Sequence, residues 1–159
     1  MVDVSIETVR NHLSQWNRDK DIIELKASTA TVAEAAEALS VIPARIAKSI
    51  SLRQGDKVVV VVIAGDVKLD NHKYKEYFRI KAKMLSPEEA LDSTGHAVGG
   101  VCPFGLPAGV DVYLDISMRR FETVFPACGS SNSAIELNLE ELNVYSMNKA
   151  WVDICKPVE

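Results

Sequence analysis

Apolar positions recur at Ile6, Val9, Leu13 and Trp16, the spacing of one helical face, and predict an amphipathic first helix. The period then shortens. Asp21 to Lys26 reads as a strand, and Thr31-Val32-Ala33-Glu34 has the spacing of a capping box that opens a short Ala-rich helix ending before Pro43. Ala47 to Arg53 and Lys57 to Ala64 are strand-like and joined at Gln54-Gly55-Asp56, a hairpin signature. The continuous valine run that begins at Val58 predicts a strand covered on both faces, hence central in a sheet.

Farther along, Asp70 is placed to cap a helix through Phe78, and Arg79 to Leu85 turns strand-like. Ser86-Pro87-Glu88-Glu89 combines a cap residue, proline at the first helical position and glutamate three residues after the cap. Gly95 to Gly109 is too punctuated by Gly and Pro for one regular element. Strands are expected at Val110 to Leu114, Thr123 to Ala127, Ala134 to Leu137 and Ala150 to Ile154, with a further capping box at Asn138 to Glu141. No repeat is visible. Strands outnumber helices and cluster in hairpins, which predicts an α+β fold: a mixed, mostly antiparallel β-sheet surrounded by short helices. Residues 1–20 read as an N-terminal helix and 21–159 as the rest of one compact domain.

Composition narrows the function classes. A chain of 159 residues with 47% hydrophobic content is long enough to bury one sizeable core. Its formal charge of −4 argues against a protein that coats nucleic acid nonspecifically, a mode resting on counterion release by many Lys and Arg. Met1 to Val4 lead into the amphipathic pattern without a signal peptide, and Val58 to Ala64 is far too short to span a bilayer. Cys102, Cys128 and Cys155 are odd in number and widely spaced, without a CxxC or a histidine at ligand spacing. The expectation is a cytoplasmic, reduced protein with no metal and no cofactor.

Several chemistries lack their motifs. "GHAVGG" has the glycine spacing of a P-loop, but Val101 stands where the lysine must follow. GxSxG, GxGxxG and HExxH do not occur. Cys102 with His96 as its base would make a nucleophilic pair, although a small apolar cysteine between Val101 and Pro103 is the commoner outcome. Three segments stand out. Lys48 sits among Ile46, Ala47 and Ile50, where an ammonium is costly to desolvate. "GHAVGGVCPFG" and "PACGSSNSAIEL" are turns that bring bare backbone amides to a surface, where they can hold a carboxylate, a phosphate or a developing oxyanion.

The segments "IPARIAKSISL", "GHAVGGVCPFGL", "VYLDISMRRFETVFPACGSSNSAIEL" and "LEEL", in this order from Asp21 to Ile154, closely resemble the YbaK/prolyl-tRNA synthetase-associated domain family. The resemblance implies an aminoacyl-tRNA deacylase that hydrolyses the ester between a wrong amino acid and the terminal adenosine of tRNA, with the aminoacyl-tRNA 3′ end and an aminoacyl-tRNA synthetase as partners. The family's lysine falls on Lys48, which would position the acyl-adenosine end. Its glycine-rich substrate loop falls on Gly99, Gly100, Val101, Cys102, Pro103 and Phe104. Its second loop falls on Cys128, Gly129, Ser130, Ser131 and Asn132, and its acidic residue on Asp115. Where some members carry an aromatic or a histidine after the first strand, this chain has Lys26-Ala27-Ser28-Thr29, so a pocket contact from that segment is not carried over.

Physical chemistry suits this reading. An aminoacyl ester is already labile, so backbone amides at Gly99 to Val101 and a positioning lysine suffice without a triad. Selection by pocket volume points to small amino acids such as Ala, Cys or Ser, and the resemblance implies tRNA(Pro) or a related tRNA as their carrier. Lys73, Lys75 and Arg79 lie in the densest basic stretch and are candidate tRNA contacts. Each residue also has a plainer reading. Lys48 pairs with Asp115; Asp115 caps a short helix from Ile116 to Phe121; Gly129 to Asn132 is only a turn; Lys73 and Lys75 are the solvated face of a helix. A module that binds aminoacyl-adenosine or a free amino acid without catalysis is the alternative function.

Overall fold

The computed structural model describes residues 4–158; Met1 to Asp3, on which the signal-peptide expectation falls, and Glu159 lie outside the described residues. Helix α1 (Val4–Ser14) inserts Val9 and Leu13 fully into the core. Trp16 follows in a turn, its ring stacked on Tyr145 at 4.6 Å. The expected first strand shrinks to β1 (Ile23–Glu24), and α2 (Val32–Leu39) begins where Thr31 accepts a hydrogen bond from the Glu34 N–H. After one 3-10 turn at Pro43–Arg45 come β2 (Ile46–Gln54) and β3 (Lys57–Ala64), joined by a two-residue turn.

β4 (Val67–Leu69) and α3 (Asn71–Phe78) follow, the helix capped by the Asp70 carboxylate on the His72 and Lys73 N–H groups. α4 (Pro87–Thr94) and α5 (Leu139–Tyr145) both start in the capping boxes expected of Ser86 and Asn138. The remaining strands are β5 (Asp111–Asp115), β6 (Thr123–Pro126), β7 (Ser133–Ala134), β8 (Leu137–Asn138), β9 (Ala150–Val152) and β10 (Cys155–Pro157).

Six strands form the main sheet in the order β8-β6-β2-β3-β5-β9, and β1–β7 and β4–β10 make two small ribbons. Pairing is mixed. The long β2–β3 ladder is antiparallel, as are β6–β8 and both ribbons, whereas β2–β6, β3–β5 and β5–β9 are parallel. β3 is central and buried, as its valines require. Val60, Val62 and Ala64 face one core with Leu13, Phe104 and Leu137, and Val59, Val61 and Ile63 face a second with Tyr74 and Ile154.

Three expectations shift. Residues 79–85 form no strand: Arg79 closes α3 in a left-handed conformation, Lys81 and Lys83 are exposed, and the pairing with β2 is limited to an isolated bridge at Leu52–Met84, flanked by the Arg53–Lys83 and Leu85–Ser51 hydrogen bonds. Ala134 to Leu137 divides, because Ala134 pairs with β1 and Leu137 with β6. Ala150 to Ile154 ends at Val152, and the chain then turns to pair Cys155 with Leu69.

Candidate active site

β2 generates the site. Alternation along the strand puts Ile46, Lys48 and Ile50 on one face. Helix α2 covers Ile46 together with Phe125, while Ile50 packs in the core beneath α3. The space over Lys48 between these covers stays open. It forms a cavity of about 360 Å³ walled by Thr29 to Val32 and Ala35 on one side, Met84, Leu85, Pro87 and Ala90 on another, and Val98, Gly99 and Val101 on a third. Lys48 is therefore exposed, which corrects the expectation of a desolvated ammonium. Among the described residues that line the cavity Lys48 carries the only charge, and no carboxylate lies within ion-pair distance of it. Small apolar side chains (Ala30, Ala35, Ala47, Ala90, Ala127, Ala134) make much of the wall, and Met84 and Val98 stand at its rim, 62% and 63% exposed.

The two glycine loops meet, but only the first reaches the cavity. A Cβ on Gly100 would lie 2.8 Å from the Gly129 carbonyl carbon and the Ser130 nitrogen, so glycine alone allows this backbone-on-backbone contact. The Gly100 N–H donates to the Ala97 carbonyl at 2.9 Å, which removes it from the donors the sequence assigned to an oxyanion and leaves Gly99 and Val101 at the cavity wall. Gly129, Ser130, Ser131 and Asn132 line no part of it. Ser130 bonds Asn132 and Ser133, Asn132 bonds the Leu25 carbonyl, and Ser131 accepts from the Thr29 N–H, so this loop braces the first loop and the 25–29 segment from behind.

Cys102 and Phe104 are fully buried in the core, and Pro103 faces a separate cavity beside His12 and Leu106. His96 is buried too. Its ring bonds the Ser5 hydroxyl and the Phe104 carbonyl, and lies 3.5 Å from the Cys102 sulfur. Burial pushes the Cys102 thiol up to about 12, so it stays protonated near neutrality and is no nucleophile. Cys128 and Cys155 are raised by the same desolvation.

Asp115, expected in the catalytic set, lies outside the cavity at 1% exposure. Its carboxylate accepts from the Ser117 N–H, capping the 3-10 helix Ile116–Arg120, and from the Ile154 N–H, each at 2.9 Å. It does not meet Lys48. Lys73 is held at 3.1 Å by Asp153, which raises its pKa, and at 3.0 Å by the Cys155 carbonyl; Lys75 and Arg79 are exposed. Tyr74 turns inward and is fully buried, whereas Tyr77 remains 48% exposed. Of the lining, Thr29 lies in the segment from which no pocket contact was carried over, and Ala30 to Val32, Ala35, Met84, Leu85, Pro87 and Ala90 escaped sequence reasoning. The clue was the run of small residues after β1, Ala27 to Thr31.

No helix among the described residues is long and apolar enough to cross a membrane, and none of their His, Cys, Asp and Glu side chains cluster as a metal site. YwhH of Bacillus subtilis (strain 168) is 55% identical over 157 residues, covering 98% of this chain and 100% of that one. The proline-tRNA ligase of Thermotoga sp. (strain RQ2) is 29% identical over 130 residues, 81% of this chain but only 22% of the ligase. A solved structure described as a candidate trans-editing enzyme for prolyl tRNA synthetase superposes with a TM-score of 0.87 at 25% identity, covering 98% of this chain and 99% of that one. The family model for the aminoacyl-tRNA editing domain matches residues 26–144, the span that holds both glycine loops and Lys48. The chain belongs to the aminoacyl-tRNA editing domain family.

Proposed function

We propose that this protein is a trans-editing deacylase that hydrolyses the ester of a small, wrongly attached amino acid on tRNA. The observation that carries the reading is the cavity itself: one free lysine in an otherwise uncharged, small-walled space with the Gly99 and Val101 backbone at its edge. Lys48 anchors the acyl-adenosine end and holds the ester in a reactive pose. The remaining amides of the first loop stabilise the tetrahedral oxyanion, a contribution of about 3 kcal/mol for a good donor. No side chain in the lining can act as a carboxylate or imidazole base, so a bound water or the substrate's own vicinal hydroxyl supplies the attack.

The alanine-rich walls suit Ala, Cys or Ser, since each added methylene changes discrimination by only about 1–3 kcal/mol. The exposed Met84 and Val98 offer apolar contact to the terminal base, and Lys75 and Arg79, with Lys81 and Lys83 beyond them, offer contacts to acceptor-stem phosphates. Lys73 is engaged with Asp153 and drops out of that set. The absence of any basic catalyst in the lining also favours a second reading, a module that binds aminoacyl-adenosine without hydrolysing it. Incubation with tRNA charged with Ala, Cys, Ser, Thr or Pro separates the two: selective loss of one charged species supports the deacylase, and tight binding of all without loss rejects it.

A further inference from the structure

The open edge of β2 points to how the cavity reads its ligand. Residues Ala47 to Gln54 pair with β3 on one edge, and the turn that joins Gln54 to Lys57 makes the even-numbered residues of β2 the ones bonded to β3. The odd-numbered residues point their N–H and C=O groups the other way. Ala47 meets β6 at Pro126, where that ladder ends; Ser51 accepts from the Leu85 N–H and Arg53 donates to the Lys83 carbonyl. Ser49 falls in the gap between these contacts. Among the described residues no group bonds its N–H or C=O from the open side, and Ser49 lines the cavity.

Two buried hydroxyls reinforce this. Among the described residues Thr29 Oγ1 and Ser49 Oγ are buried without a hydrogen-bond partner, and both residues line the same cavity, Thr29 at 7% exposure. Buried polar groups are ordinarily paired, so these mark where a polar ligand belongs. No carboxylate is present to take an ammonium, which leaves neutral oxygens to do so.

Resting on the deacylase reading, we propose that Ser49 binds the aminoacyl group as one residue of an added β-strand: the α-ammonium donates to the Ser49 carbonyl, and the ester carbonyl accepts from the Ser49 N–H. An α-amino ester carries its donor and acceptor at the spacing of a strand residue, and directly opposed residues in an antiparallel pair exchange both bonds. Paired residues also send their side chains to one face. The amino-acid side chain then projects beside the Ser49 hydroxyl, on the face opposite Lys48.

Ser49→Pro tests the pairing, because it deletes the unpaired N–H of β2 at the cavity and leaves the β3 ladder whole, a position open on its N–H side where proline is tolerated. With a tRNA that the wild type deacylates, Ser49→Pro is expected to lose at least about a hundredfold in kcat/KM. Ser49→Ala, which keeps the N–H, should remain at least about tenfold more active than Ser49→Pro. A second measurement stands apart from folding of the variant. In the wild-type protein the Ser49 amide should exchange its hydrogen faster than those of Lys48 and Ile50, and slow at least about tenfold with a saturating amide-linked aminoacyl-adenosine analogue. A wild type that deacylates while Ser49→Pro folds and equals Ser49→Ala, or a Ser49 amide unmoved by the bound analogue, overturns this inference alone. A wild type that hydrolyses no charged tRNA overturns the deacylase reading and this inference with it.

Discussion

Replacing Gly100 by alanine perturbs the site through a single contact. The added Cβ would stand 2.8 Å from the Gly129 carbonyl carbon, 2.8 Å from the Ser130 nitrogen and 2.9 Å from the Gly129 oxygen, all backbone atoms that cannot rotate away. Ordinary carbon contacts lie at about 3.5–4.0 Å, so the two loops must part by about 0.7 Å or more. Overpacking of this kind costs about 1–3 kcal/mol. For a chain of this length that lowers Tm by about 2–10 °C. The same movement displaces the neighbouring Gly99 and Val101 amides, and a misplacement near 1 Å costs about a hundredfold in rate. Gly95→Ala is the comparison: nothing lies within 4 Å of its Cβ, and only the left-handed conformation (φ +79°) opposes the change, at about 1 kcal/mol. Thermal unfolding and single-turnover deacylation on both variants decide the matter. Gly100→Ala as stable as Gly95→Ala and as active as wild type refutes the loop-on-loop contact.

Cys102→Ala should keep Lys48-dependent turnover within about threefold, and iodoacetamide should leave the folded protein active, because a buried thiol near 12 is neither ionised nor accessible; inactivation by alkylation contradicts this. Asp115→Asn should lower stability by about 1–2 kcal/mol in urea unfolding, since one of two accepted N–H bonds loses its carboxylate, while the ratio of rates on different charged tRNAs stays fixed. The Arg120 guanidinium, through its hydrogen bond and its charge, holds the Asp66 carboxyl below the usual range, and the Ser86 N–H and Arg53 do the same for Glu89. A carboxyl depressed in the folded state contributes stability above its unfolded value, near about 4, and loses it as pH falls through the folded one. The urea midpoint should therefore drop between about pH 5 and pH 2, and Asp66→Asn should flatten that drop; an unchanged slope contradicts the pairing.

Elements set by local chemistry were legible in the sequence. Asp70, Ser86 and Asn138 cap helices because their partners lie two or three residues away, and the valines of β3 announce a strand covered on both faces. Lys48 was legible as an oddity, but its exposure was not, because the opening above it depends on where α2 and residues 84–90 sit. The second glycine loop looked like a binding loop, but Ser130, Ser131 and Asn132 bond neighbouring protein groups and line no part of the cavity; Gly and Ser suit a turn and a ligand loop alike, so the sequence does not separate the two. Residues 79–85 alternate as a strand does, but their outward lysines leave too little apolar surface to hold one. Asp115 kept two readings in the sequence, and its bonds to Ser117 and Ile154 support the capping one.

The central claim is that Lys48 works on a charged tRNA in the cavity it overlooks. Its most direct test is the single-turnover deacylation rate of wild type and Lys48→Ala on the charged tRNA that wild type hydrolyses fastest, with the two melting curves recorded alongside. The account predicts a fall of at least about a hundredfold at unchanged Tm, because an exposed lysine without an ion pair contributes to positioning and little to the fold. A Lys48→Ala variant that stays within about threefold of wild type contradicts it.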